Sequence, residues 1–131
     1  MATTTATITL SSADLTGDAL SLSSTATLTK AGTLTGLDQF TGVARKTFSS
    51  TSQVTLIDKA DYTDDRAHKV YIKNTSSTAT EHVIVTIESQ LLGRLYAGDW
   101  ALLPYNGDQD IKITPSVATD LVVEFAVFYE A

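Results

Sequence analysis

Residues 121–129 read Leu-Val-Val-Glu-Phe-Ala-Val-Phe-Tyr, and this stretch decides the fold class. Leu121, Val123, Phe125, Val127 and Tyr129 recur at every second position. An extended chain therefore carries all five on one face. The N-terminus shows the same period in lighter residues. Thr3, Thr5, Thr7 and Thr9 interleave with Ala6, Ile8 and Leu10. Threonine and serine make up about a quarter of the chain. Threonine is β-branched, favours extended backbone and can turn its hydroxyl to water from a sheet surface.

Further strands follow from alternation and punctuation. Candidates are 6–10, 19–23, 26–30, 54–57, 69–73, 82–88, 91–95, 100–103, 111–114 and 121–129. His82 to Glu88 (His-Val-Ile-Val-Thr-Ile-Glu) is the strongest interior strand, and Val54 to Ile57 is apolar on both faces. Asp58 to Arg66 reads as an acidic loop and Asn74 to Glu81 as a polar turn. Asn106-Gly107 is a tight-turn signal, since both residues tolerate positive φ. The best helical candidate is Asp14 to Leu20, capped by Ser12 or Asp14, but Gly17 weakens it by about 1 kcal/mol relative to alanine. A barrel is the second reading, and without crossover helices a parallel sheet is not expected. The expectation is an all-β chain, an antiparallel β-sandwich or jelly roll of about eight to ten short strands.

The length of 131 residues suits one domain spanning 1–131. Composition shifts near residue 50. The light first part has Phe40 and Phe48 as its only aromatics, while the second part holds all five tyrosines and the single tryptophan. The second part is expected to form the packed core, and the first to cover it or to pair with a neighbouring subunit. Residues 1–12 are a candidate extended arm. A long threonine strand offers an unpaired edge, which invites association.

Nine basic against fifteen acidic residues leave a net charge of −6. That balance argues against a phosphate-backbone partner. Cysteine is absent, so neither a disulfide nor a thiolate metal site can form. Met-Ala-Thr-Thr-Thr lacks a positive region followed by an apolar core, so no secretory signal is expected. No apolar run reaches bilayer-spanning length, and no membrane partner is expected.

Chemical motifs are sparse. His68 and His82 lack partners at ligand spacing and read as surface or strand-end residues. Asp58, Asp61, Asp64 and Asp65, or Asn106, Asp108 and Asp110, have the oxygen chemistry of a calcium loop. Both lack the central glycine and closing glutamate of an EF-hand, and they read as solvated turns. Asn74-Thr75-Ser76 matches a glycosylation pattern. Tyr96, Trp100 and Tyr105 lie close in sequence. Their large amphipathic rings read as buried packing residues or interface anchors, or alternatively as a sugar platform. No catalytic, cofactor or metal residue is assigned, and no enzyme activity is expected. Candidate interface residues are Thr3, Thr5, Thr7, Thr9, Tyr96, Trp100 and Tyr105.

Several segments of the second part carry a family texture: Val-Tyr-Ile-Lys-Asn-Thr at 70–75 and Gly-Arg-Leu-Tyr-Ala-Gly-Asp-Trp at 93–100, which leads to Leu103-Pro104. After them come Asp-Ile-Lys-Ile-Thr-Pro at 110–115 and Val-Glu-Phe-Ala-Val-Phe-Tyr-Glu at 123–130. Over roughly residues 68–131 the chain resembles small virion proteins of tailed bacteriophages, especially cyanobacterial ones. The resemblance implies a capsid decoration (cement) protein. Such a protein is a β-sandwich, often a homotrimer, seated on the outside of the head against the major capsid protein. An acidic protein suits that surface better than the DNA-facing one. Tail, neck or fibre-base subunits use the same β-elements, and a carbohydrate-binding β-sandwich is a further alternative.

Overall fold

A computed structural model describes residues 2–131; Met1 of the expected arm lies outside the described residues. Eleven strands account for the regular structure. They are β1 (Thr5–Ser12), β2 (Leu20–Thr27), β3 (Gln39–Phe40), β4 (Ala44–Phe48), β5 (Val54–Ile57) and β6 (His68–Asn74). The second half adds β7 (His82–Ile87), β8 (Gln90–Tyr96), β9 (Trp100–Tyr105), β10 (Ile111–Pro115) and β11 (Leu121–Tyr129). The helical content is two single-turn 3₁₀ segments, Leu15–Gly17 and Lys59–Asp61. Among the described residues no helix is long and apolar enough to cross a membrane.

The pairing is nested. β4 pairs with β11, β5 with β10, β6 with β9 and β7 with β8, all antiparallel. A long ribbon, β4 to β7 against β8 to β11, thus folds over on itself. Contacts of β11 with β6 and of β10 with β7 then close two sheets. One sheet runs β4-β11-β6-β9 and the other β5-β10-β7-β8. This is the order of a jelly roll, two Greek keys wrapped into a sandwich. β3 occupies the same edge of β11 as β4, further along the strand. Gly42, at φ +80°, turns the chain between them. Around that break the Thr41 N–H donates to the Val127 carbonyl, and the Val127 N–H donates to Thr41 Oγ1.

The core lies between the sheets. Val70 and Ile72 of β6, Val83 and Val85 of β7, Ile111 and Ile113 of β10, and Leu121, Val123 and Val127 of β11 are buried together. Burial alternates strictly in β6 and β10, whereas neighbouring residues are both buried in β5 (Leu56 and Ile57), β7 (Val85 and Thr86) and β11 (Ala126 and Val127). Among the described residues before residue 50 only Phe48 joins this cluster.

Three expectations change. The segments 19–23 and 26–30 give one strand, β2, which ends at Thr27 and leaves residues 28–30 outside it. The helical candidate Asp14–Leu20 is the turn that joins β1 to β2, and Gly17 sits there at φ +85°. Neither β3 nor β4 was expected. In β4 (Ala-Arg-Lys-Thr-Phe) only Phe48 is buried, so an edge strand lacks the apolar alternation that would announce it.

Candidate functional site

β1 and β2 form a two-stranded ribbon that joins neither large sheet. In its register Thr5 faces Thr27, Ala6 faces Ala26, and so on to Ser12 opposite Leu20. The alternation sorts the ribbon by chemistry. One face is Thr5, Thr7, Thr9 and Ser11 against Thr27, Thr25, Ser23 and Ser21, all hydroxyls. The other holds Ala6, Ile8 and Leu10 against Ala26, Ser24 and Leu22. Thr7 Oγ1 and Thr25 Oγ1 lie 2.8 Å apart across the hydroxyl face. On the apolar face Ile8 is 42% exposed, Leu10 51% and Leu22 47%.

The expected arm is therefore half of an intrachain ribbon. Thr5, Thr7 and Thr9 point to its hydroxyl face, and one edge of β1 is taken by β2 of the same chain. Thr3 precedes β1. Its backbone lies against Gly36, where a Cβ would run into the Ala2 carbonyl. The Leu28 N–H donates to the Thr4 carbonyl at 2.8 Å and anchors the ribbon root. Beyond the root, the base of the apolar face stands across a cleft of about 240 Å³ from Lys69, Leu102 and Pro104.

Tyr96, Trp100 and Tyr105 are placed apart. Tyr96 is 44% exposed and pairs across β7–β8 with His82, their rings 5.1 Å apart. Trp100 is 54% exposed. It shares the outer face of the β4-β11-β6-β9 sheet with Leu102 and Pro104, since Ala101, Leu103 and Tyr105 alternate inward. Only Tyr105, 5% exposed, is a buried packing residue. Tyr96 and Trp100 flank a turn built for its residues. Gly98 takes φ +82°, and Asp99 Oδ2 accepts from the Tyr96 N–H at 2.9 Å. The turn is held to β6 by Asp99 O and the Gly98 N–H, both bonded to the Asn74 backbone.

The sandwich end beneath Tyr105 is a buried polar knot. His68 opens β6, but it is fully buried, contrary to the surface reading. Its Nδ1 accepts from the Glu130 N–H at 3.3 Å, so the ring proton sits on Nε2, which donates to the Thr63 carbonyl at 3.0 Å. The Glu130 carboxylate accepts from the Ala31 N–H at 2.8 Å and from the Ala67 N–H at 3.2 Å. It also pairs with Arg66 at 3.4 Å. Burial works to raise its pKa, but those two N–H donors, Arg66 and His68 outweigh it. The net value lies below the ordinary carboxylate range. Tyr62, His68, Tyr105 and Tyr129 pack ring to ring around the knot. Burial, then the neighbouring Tyr62, Asp110, Asp108 and Asp58, push the Tyr105 phenol up to about 12. No local signal marks His68, because its partners lie at residues 63 and 130.

The two acidic loops lie side by side, but their side chains cap backbone N–H groups. Asp58 caps the Ala60 N–H, Asp110 accepts from the Lys59 N–H, and Asn106 Oδ1 accepts from the Asp108 N–H. Among the described residues no group of three or more His, Asp or Glu side chains is gathered to hold a metal ion. Asn74 of the glycosylation pattern is fully buried. Its Nδ2 donates to the Leu95 and Glu81 carbonyls, and its Oδ1 accepts from the Ser76 N–H. The side chain is a structural tie with no room for a glycan. In comparisons with protein families, curated proteins and solved structures, nothing matches this chain.

Proposed function

We propose that this chain is a non-enzymatic assembly subunit of a virion, and that its role is capsid decoration. It reinforces a phage head by bridging major capsid proteins, and it acts as a homo-oligomer, a trimer. The observation that carries this reading is the amphipathic ribbon. An isolated two-stranded hairpin is marginal in water. This one leaves Ile8, Leu10 and Leu22 about half exposed on a single face. Covering the rest of such side chains is worth about 1 kcal/mol each, and only a neighbour can supply the cover.

The body supports the same reading. Jelly rolls recur in capsid and lectin domains, although a fold alone assigns no task. β8 and β9 each leave one edge without a partner strand in the chain, with Leu91, Leu92 and Trp100 exposed along them. Weak contacts of this kind gain strength when several are linked in one oligomer. A sugar platform is less favoured. Tyr96 and Trp100 are both exposed, but on the outer faces of opposite sheets, so they form no common plane. The test is to heat particles with and without the protein and follow DNA release. A higher release temperature with the protein bound is expected; equal temperatures reject cementing.

A further inference from the structure

We infer that the apolar face of the β1–β2 ribbon docks on the outer face of β6 and β9 of a second copy of this chain. The inference rests on the reading of the chain as an assembling subunit and names the surface and its occupant.

The receiving face follows from register. Lys69 pairs with Pro104, Tyr71 with Leu102 and Lys73 with Trp100, and all six side chains point away from the core. Its centre is therefore apolar and aromatic, with lysines along one side. The ribbon base already faces part of this surface across the cleft, through Ala6 and Ile8. Leu10 and Leu22, nearer the tip, do not line that cleft and stay half exposed. They extend the same apolar face with nothing opposite. The hydroxyl face is suited to remain in water, so the pleat dictates which side is buried.

Charge agrees with a copy of the same chain as occupant. Residues 2–29 carry only two charges, Asp14 and Asp18, both in the turn at the ribbon tip. The receiving face carries Lys69 and Lys73. Among the described residues Lys73 has no carboxylate partner in its own chain. Both complementary halves are thus displayed by every molecule.

Area sets the form of the assembly. At 3.4 Å per residue and 4.8 Å between strands, the ribbon face covers about 270 Å² and the receiving rows about 170 Å². The smaller face limits the contact, so one buries at most roughly 340 Å², below the roughly 1,000 Å² of a stable interface. In a closed trimer each copy gives one ribbon and receives another, so three contacts that are each weak, roughly 1,000 Å² in all, are linked and strengthen one another. Head-to-tail contacts that close are the ordinary route to such rings.

The experiment is light scattering on the purified full chain, with the Leu10→Asp/Leu22→Asp double variant and the Lys73→Glu variant beside it. The wild type is expected to run as an oligomer of the 14.0 kDa chain. The double variant should fall to the single-chain mass with unchanged circular dichroism, because neither leucine touches the core. Lys73→Glu should weaken the oligomer in low salt, and Lys73→Glu with Asp14→Lys/Asp18→Lys should restore it. Trp100 is the only tryptophan, so its emission reports the receiving face directly. It should shift to the red when the oligomer dissociates. A wild type that stays monomeric at its highest soluble concentration overturns the inference. So does an oligomer that survives the double variant. Unchanged DNA release from particles, with the ribbon-dependent oligomer intact, would instead strike the decoration role and leave this contact standing.

Discussion

Removal of the Glu130 carboxylate should loosen the whole sandwich end. This side chain accepts from two backbone N–H groups, at residues 31 and 67, and from Arg66. It thereby fastens the loop after the ribbon and the start of β6 to the end of β11. In Glu130→Ala the partly buried Ala67 N–H loses a charged acceptor, at a cost of about 1.5 kcal/mol. The Ala31 N–H lies at an exposed residue and water can replace part of its bond, so its loss costs about 1 kcal/mol. The Arg66 pair involves a guanidinium 43% exposed and adds about 0.5 kcal/mol. The total is about 3 kcal/mol, or a fall in melting temperature of about 10 °C for a domain of this size. Denaturant unfolding followed by far-UV circular dichroism reads the first figure, and a thermal scan the second. Because the folded-state pKa of Glu130 is depressed, its stabilisation is fully present above the unfolded carboxyl value. It is lost as pH falls through the folded value. Wild-type stability should therefore drop in the acid range, and Glu130→Gln should flatten that drop. A Glu130→Ala protein within 0.5 kcal/mol of wild type, with the same acid profile, would refute the reasoning.

Three more outcomes follow from the same geometry. The neutral phenol of Tyr105 is favoured by the fold, so its contribution is intact below pH 10 and disappears as pH rises toward 12; Tyr105→Phe should show a smaller alkaline loss in a pH series of unfolding curves. Gly107→Ala places a methyl against the Thr63 carbonyl at φ +94°, whereas Gly98→Ala meets open space at φ +82°. The first should cost about 3 kcal/mol or more and the second about 1–2 kcal/mol, with the gap in denaturant midpoints measuring the clash. Asn74→Ala leaves the Ser76 N–H and two carbonyls without their partner and should cost about 2–4 kcal/mol by chemical denaturation.

The strands richest in inward aliphatic residues were legible from periodicity. β6, β7, β10 and β11 lie within a residue or two of the expected segments, because burial on one face imposes a period of two on the residues themselves. The tight-turn signal at Asn106-Gly107 and the loop from Asp58 were legible for a similar local reason, since the backbone takes φ +94° at Gly107. β4 was not, because an edge strand buries one side chain in five and needs no pattern. Nor was the turn at 14–19, where a capping serine and polar residues serve a hairpin as well as a helix.

The candidate site divides in the same way. Alternation of Thr5, Thr7 and Thr9 with Ala6, Ile8 and Leu10 declared an amphipathic strand. Only the tertiary structure placed β2 beside it, with hydroxyl on hydroxyl and apolar on apolar. Tyr96, Trp100 and Tyr105 are neighbours in sequence, yet a tight turn and the pleat send them to two outer faces and the core. His68 looked like a surface residue because Glu130 meets it only when β6 and β11 pair, and no sequence signal shows that the loop brings the Thr63 carbonyl to it. The sequence alone determined the alternation within strands such as β6 and β10, since that depends on spacing along one strand. Which strands lie side by side, and which polar groups become buried partners, rests on contacts between distant residues. Those were decided only when the nested ribbon closed.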